Sequence, residues 1–247
     1  MKNRISHIVS CDLLDKIDNR DFYMCLANIV IKDDTYKQFY IDRKNEGCFI
    51  LLDNGAAEGE QLTREQMIEV INTINPDEVI LNDILRDCNQ TIKDSIQSAE
   101  FYRNNGYTGR FMFVVQGMNV QECIDCYNKM DKQYIDTIGI PKHINKTSND
   151  KDARLKICKE LDKYNKPIHL LGCAESMYEV KNVMDECENV RSCDTALAFI
   201  YSLNYEYIDT KHNRPLGKIN FINSHFNHLQ RFILGKNIEV FDNLLKT

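Results

Sequence analysis

Three aspartates stand at the ends of short β-prone runs: Asp53 in FILLD (49–53), Asp83 in EVILND (78–83) and Asp194 in VRSCD (190–194). Gln116 ends RFMFVVQ (110–116) and is followed by Gly117, Gly139 lies in YIDTIGI (134–140), and Gly172 closes PIHLLG (167–172). A single acid after a strand is ordinarily a turn or a helix cap. Acids, an amide and glycines recurring at one position of successive strands point to a shared polar face. Two carboxylates across a small cleft suit chemistry at a glycosidic carbon: one attacks or stabilises the anomeric centre while the other moves the proton. A further Asp and a Gln suit the donor and acceptor edge of a purine. Gly139 and Gly172 would let backbone approach a flat ring.

The elements that must position these residues alternate. Between the runs lie stretches with helical apolar spacing. Thr63 and Gln66 form a capping-box pattern before Met67, Ile71 and Ile74. Asn89 is placed to cap a helix carrying Ile92, Ile96 and Ala99, and Asn119 opens one carrying Val120, Cys123, Ile124, Tyr127 and Met130. Asp150 and Ser176 precede two more. With ANIVI (27–31) before the six runs and KINFI (218–222) after them, the chain counts eight strands. That predicts an α/β fold, a (β/α)8 TIM-type barrel, whose strand ends converge on one face. A doubly wound open sheet is the alternative, but no GxGxxG follows any strand. No Pro/Gly/Ser-rich linker divides the chain, so residues 1–247 are read as one domain.

Composition narrows the function. The chain is 43% hydrophobic and 28% charged, which is globular rather than disordered. No run approaches the ~18 to 20 apolar residues of a membrane span, and Asp12 and Asp15 interrupt any signal-like core, so a cytoplasmic location is expected. The net charge of −6 excludes a broad polybasic coat but leaves room for local basic strips. Two are candidates for phosphate contacts: Lys142-His143 with Lys146, and Lys211-His212-Asn213-Arg214 with Lys218. Among ten cysteines the one CxxC, Cys123 to Cys126, has no second pair or nearby His, so reduced structural thiols are expected and no metal. His169 is read as structural or orienting. His225 and His228, at i and i+3 of an expected C-terminal helix, are read as packing or surface residues.

The ordered motifs resemble the tRNA-guanine transglycosylase family, with its queuine and archaeosine enzymes and its phage and bacterial DNA-modifying relatives. The family's Asp-Ser-Gly-Gly is similar to Asp53-Asn54-Gly55-Ala56, and its strand-borne base-reading acid to Asp83 in VILNDIL. Val115-Gln116-Gly117 resembles its Val-Gln-Gly, and Ile138-Gly139-Ile140 part of its Ile-Gly-Gly. His169-Leu170-Leu171-Gly172 and Asp194-Thr195-Ala196-Leu197 resemble the archaeal-type His-Leu-Phe-Gly and Asp-Ser-Ala-Ala. The likeness spans about residues 49–220. It implies a base exchange that replaces guanine in a nucleic acid with a 7-deazaguanine of the preQ0 or preQ1 type, without a cofactor. Asp194 would be the nucleophile and Asp53 the general acid/base. Asn54, Asp83, Gln116, Gly117, Gly139 and Gly172 would bind the base, and Lys142, His143, Lys211 and Arg214 the nucleic-acid backbone. No cysteine follows Cys193, so the family's zinc subdomain and any appended RNA-binding domain are expected to be missing. In length the chain is more like the DNA-modifying enzymes, so DNA is favoured over tRNA, in a host cytoplasm if phage-encoded. Asn54 and Ile140-Pro141 depart from the family pattern. A tRNA enzyme, a nucleoside or base hydrolase on the same barrel, and a non-catalytic subunit remain alternatives, and a homodimer stays open.

Overall fold

The computed structural model describes residues 4–56, 59–173, 176–208, 221–222 and 224–246. Its strands are β1 (Arg4–His7), β2 (Phe22–Leu26), β3 (Phe49–Asp53), β4 (Glu78–Ile80), β5 (Arg110–Val114), β6 (Thr137–Pro141), β7 (Ile168–Leu171) and β8 (Val190–Thr195). Between them run α1 (Ala27–Val30), α2 (Asp34–Asn45), α3 (Arg64–Ile74), α4 (Cys88–Asn104), α5 (Val120–Lys129), α6 (Ile144–Thr147), α7 (Ala153–Asp162) and α8 (Met177–Glu186). After β8 come α9 (Leu197–Leu203) and α10 (His228–Lys246).

All strand pairs are parallel, in the order β1-β8-β7-β6-β5-β4-β3-β2. The two end strands, β1 and β2, pack against each other. Across that seam the Met24 N–H donates to Ser6 Oγ at 2.7 Å, so a side chain bridges where the ladder stops. The result is a nearly closed (β/α)8 barrel with helices between the strands. No helix among the described residues is long and apolar enough to cross a membrane.

Two of the expected strands are placed differently. ANIVI forms helix α1 instead. The apolar run FYMCLANIVI is continuous, so hydrophobicity cannot say where it turns; pairing of Leu26 with Asp53 ends the strand at Leu26. Of KINFI, residues 218–220 lie outside the described residues, while Phe221 and Ile222 form a turn, with the Phe221 carbonyl accepting from Cys11 N–H at 3.0 Å. β1, only four residues with three polar side chains, takes the remaining place.

The Thr63–Gln66 capping box and the Asn119 cap form as expected. Helix α4 is capped by Asp87 rather than Asn89, which falls inside it. An Asn227–Gln230 pair caps α10, leaving His225 in the preceding loop, paired with Asp12. All ten cysteines are free thiols, most of them buried.

The N-terminal end of the barrel is sealed by charge as well as by rings. Glu78 is wholly buried and pairs with Arg191. The guanidinium groups of Arg4, Arg110 and Arg191 lie 5.8, 6.0 and 5.4 Å from the Phe49 ring centre. Breaking a buried ion pair from one side strands the other charge. Glu78→Gln is therefore expected to lower stability by about 3 kcal/mol, read as a lower urea midpoint at unchanged slope.

Candidate active site

The parallel strands deliver the expected site residues to the C-terminal end of the barrel, in two groups. The first spans the ends of β3, β4 and β5. Asn54, almost fully buried, donates through Nδ2 to the Leu81 carbonyl and to Asp83 Oδ1, both at 2.8 Å, while its Oδ1 accepts from Ala56 N–H at 2.8 Å. Gln116 Nε2 donates to Asp83 Oδ2 at 2.6 Å, and its Oε1 accepts from Arg86 N–H at 2.9 Å. Each carboxylate oxygen of Asp83 thus already holds one amide donor. Burial raises the Asp83 pKa, and the bonds from Asn54 and Gln116 oppose that rise. Both ends of the Gln116 amide are engaged here, so Gln116 holds Asp83 and the loop after β4.

Asp53 ends β3 beside this group, 7% exposed, with its Oδ2 accepting from Gly55 N–H at 3.0 Å. Gly55 takes φ +79°, and a Cβ there would lie 2.8 Å from the Glu60 carbonyl oxygen. Closing the loop onto Glu60 is therefore what demands a glycine at this position. Gly117 is constrained similarly: a Cβ would meet Glu122 Cβ at 2.7 Å.

The second group spans β6, β7 and β8. A bulge at the β7–β8 pairing aligns His169 with Ser192. Asp194 Oδ1 accepts from Gly172 N–H at 2.8 Å and faces His169 Nε2 at 3.3 Å, while His169 Nδ1 lies 2.8 Å from Ser192 Oγ. His169 is fully buried, and that burial lowers its pKa in spite of Asp194. The imidazole is neutral at neutral pH: Nε2–H donates to the carboxylate, and Nδ1 accepts from the Ser192 hydroxyl. Burial alone would raise Asp194. The hydrogen bonds from His169 and Gly172, with the charge of Lys142, outweigh it and hold the carboxyl below the usual range.

Gly139 is the register neighbour of His169, and a Cβ on it would press on Leu171, Met112 and Val114 at 3.1 to 3.2 Å. Those side chains make an apolar floor between the two groups of strand ends. Gly172 stands at φ +67°, and a Cβ there would reach within 2.7 Å of Lys142 Cδ. Gly172→Ala is expected to cost about 1 kcal/mol or more in stability and to slow any Asp194-dependent step. Urea titration and turnover measure the two effects separately.

Two residues at this mouth escape sequence reasoning. Arg86 has no motif around it. Arg154 is wholly buried and donates to the carbonyls of Gly172, Ile140 and Leu171 at 2.8, 3.0 and 3.2 Å. Its signal was its spacing: Arg154, Ile157, Cys158 and Leu161 make one buried stripe, with the arginine at its head. Lys142 and His143 begin the loop after β6, both half-buried, whereas Lys211 and Arg214 lie outside the described residues. No group of three or more His, Cys, Asp or Glu among the described residues is placed to hold a metal ion.

No protein-family model and no curated protein matches this chain.

Proposed function

We propose that the protein is a base-exchange transglycosylase that replaces guanine in a nucleic acid, DNA in the first instance, with a 7-deazaguanine base. The observation that carries this reading is the state of Asp194. Among the described residues both of its hydrogen bonds go to Oδ1 at the end of β8, and the carboxyl is held ionised, which leaves Oδ2 to supply the reacting lone pair. That is the equipment of a nucleophile at a sugar carbon. Further support comes from Asp83, a buried carboxylate whose oxygens keep acceptor capacity toward a donor-rich purine edge, and from Asp53 at the neighbouring strand end.

In this mechanism the target nucleotide leaves the stack, because C1′ is out of reach inside a duplex. Asp194 Oδ2 forms a bond to C1′ as the bond to the guanine nitrogen breaks, and Asp53 gives the departing base its proton. The incoming deazaguanine loses its N9 proton to Asp53 and displaces Asp194, restoring both carboxyl groups. Asp83 reads the donor edge of either base.

The test is exchange of labelled guanine into DNA and tRNA by the purified chain, with a nucleoside digest of both polymers from expressing cells read by mass spectrometry. Incorporation of label, or a deazaguanine in one pool, is the expected result. Release of free guanine without incorporation would replace the reading with a hydrolase, and tight binding to another subunit without any adduct would replace it with a non-catalytic role.

A further inference from the structure

The charges of Arg86 on the loop after β4, Lys142 after β6 and Arg154 at the head of α7 all act on one imidazole, His143. Arg86 is exposed on the loop after β4, at φ +69°, and its N–H is pinned to Gln116 Oε1. Left-handed backbone is uncommon for a non-glycine residue and persists where surrounding bonds enforce it. Lys142 leaves β6 with its N–H on the Leu171 carbonyl at 3.0 Å, and its stem crosses Gly172, where a Cβ would lie 3.2 Å from Nζ. Arg154 lies beneath, spent on backbone carbonyls and on Glu179 at 3.4 Å.

His143 stands among them. Its Nε2 is buried and has no hydrogen-bond partner among the described residues. Burial first, then the charges of Arg86, Arg154 and Lys142, lower its pKa to about 4, so it is neutral at neutral pH. A buried nitrogen without a partner is costly. That cost falls if an anion enters beside it. Arg86 offers a planar fork, Lys142 a point charge, and neutral His143 one N–H, a donor set suited to tetrahedral oxygens.

We infer that Arg86, Lys142 and His143 form an oxyanion site that takes a backbone phosphate of the nucleic acid beside the base pocket. Its place supports this. Lys142 lies over Gly172, the residue whose N–H holds Asp194, so an anion there lies beside the residue that orients the carboxylate proposed to attack C1′. The anion chemistry rests on these side chains alone, whereas its assignment to the target nucleotide rests on the transglycosylase reading. Arg154 acts as a buried positioning residue that supports the loop and adds positive field.

The test is fluorescence anisotropy of a labelled, guanine-containing single-stranded DNA and of a tRNA transcript, titrated with the full-length chain at several salt concentrations. The variants are Arg86→Gln, Lys142→Gln, Lys142→Arg and His143→Gln. Arg86→Gln and Lys142→Gln are each expected to weaken binding of at least one polymer about tenfold and to reduce the salt slope by roughly 0.7. Lys142→Arg should restore the slope. His143→Gln should weaken binding a few-fold at unchanged slope, because the group it removes is neutral. Wild-type affinity and slope in all the variants would overturn the site, as would absence of any polymer binding by the wild-type chain. Inorganic phosphate that binds the wild-type chain without displacing either polymer would also overturn it, reducing the site to one for a free anion. Altered slopes with no guanine exchange in the wild type would leave the phosphate site standing and remove the transglycosylase. Exchange with unaltered slopes would do the reverse. Binding of free guanine by each variant reports that its base pocket remains folded.

Discussion

Asp194→Asn is expected to abolish guanine exchange, lowering the rate by roughly 10⁴-fold or more, and to leave no covalent nucleic acid–protein adduct on a denaturing gel. The amide keeps the shape of the side chain, and its oxygen can still accept from Gly172 N–H and His169 Nε2–H. What it lacks is the negative charge and the second oxygen that would bond C1′. Stability gives an independent readout. The Asp194 carboxyl is held below its usual range in the folded chain, so its ionised form contributes stability above the unfolded pKa, and that contribution is lost as pH falls through the folded value. The Asn variant should therefore melt below the wild type at neutral pH, with the gap narrowing as pH falls below the ordinary Asp pKa of about 4. Exchange or adduct formation at wild-type rate by this variant would remove Asp194 from the mechanism.

Strand ends carry most of what the sequence discloses about this molecule. FILLD reads as β3 with correct bounds because its apolar residues end in an acid that cannot continue into the core. Thr63 and Asn119 announce their helices because a cap is a local interaction, complete within four residues. Long-range choices are less visible. β1 has too few apolar residues to show a period, and it is a strand because β8 lies beside it. Asp87 wins the α4 cap from Asn89 because the loop after β4 is drawn in by Gln116. Residue types at the site were legible, but their pairings were not. Gln116 reads as a base contact, whereas in the fold its amide is shared between Asp83 and Arg86. Asn54, the least expected residue at that strand end, locks Asp83 from the other side. Arg154 heads the apolar stripe of α7 by its spacing, but what receives its charge, the carbonyls of Ile140 and Gly172, comes from elements distant in the chain.

Asp83→Asn should separate activity from stability more sharply than any other change. The carboxylate has two amide donors of the protein on its two oxygens, and reading a purine edge requires each oxygen to accept again. An amide at this position offers one acceptor and one donor, so at least one bond to the donor edge of guanine is lost and a buried donor is left facing another. Hydrogen bonds to a charged group contribute about 1.5–3 kcal/mol each, which sets the expected loss of exchange at roughly 10² to 10⁴-fold. Folding should respond far less. Burial raises the Asp83 pKa in the native state, so the folded chain takes up this proton before the unfolded chain as pH falls. Keeping Asp83 ionised at neutral pH therefore opposes folding, and stability from this group declines as pH rises through its raised pKa. Removing the charge lifts that opposition at neutral pH, which offsets the cost of the two facing donors, so the variant should melt close to the wild type. The wild-type exchange rate, meanwhile, should fall on the acid side as Asp83 is protonated and its acceptor capacity is lost. A variant that melts well below the wild type while exchanging guanine normally would show that Asp83 serves the barrel rather than the base.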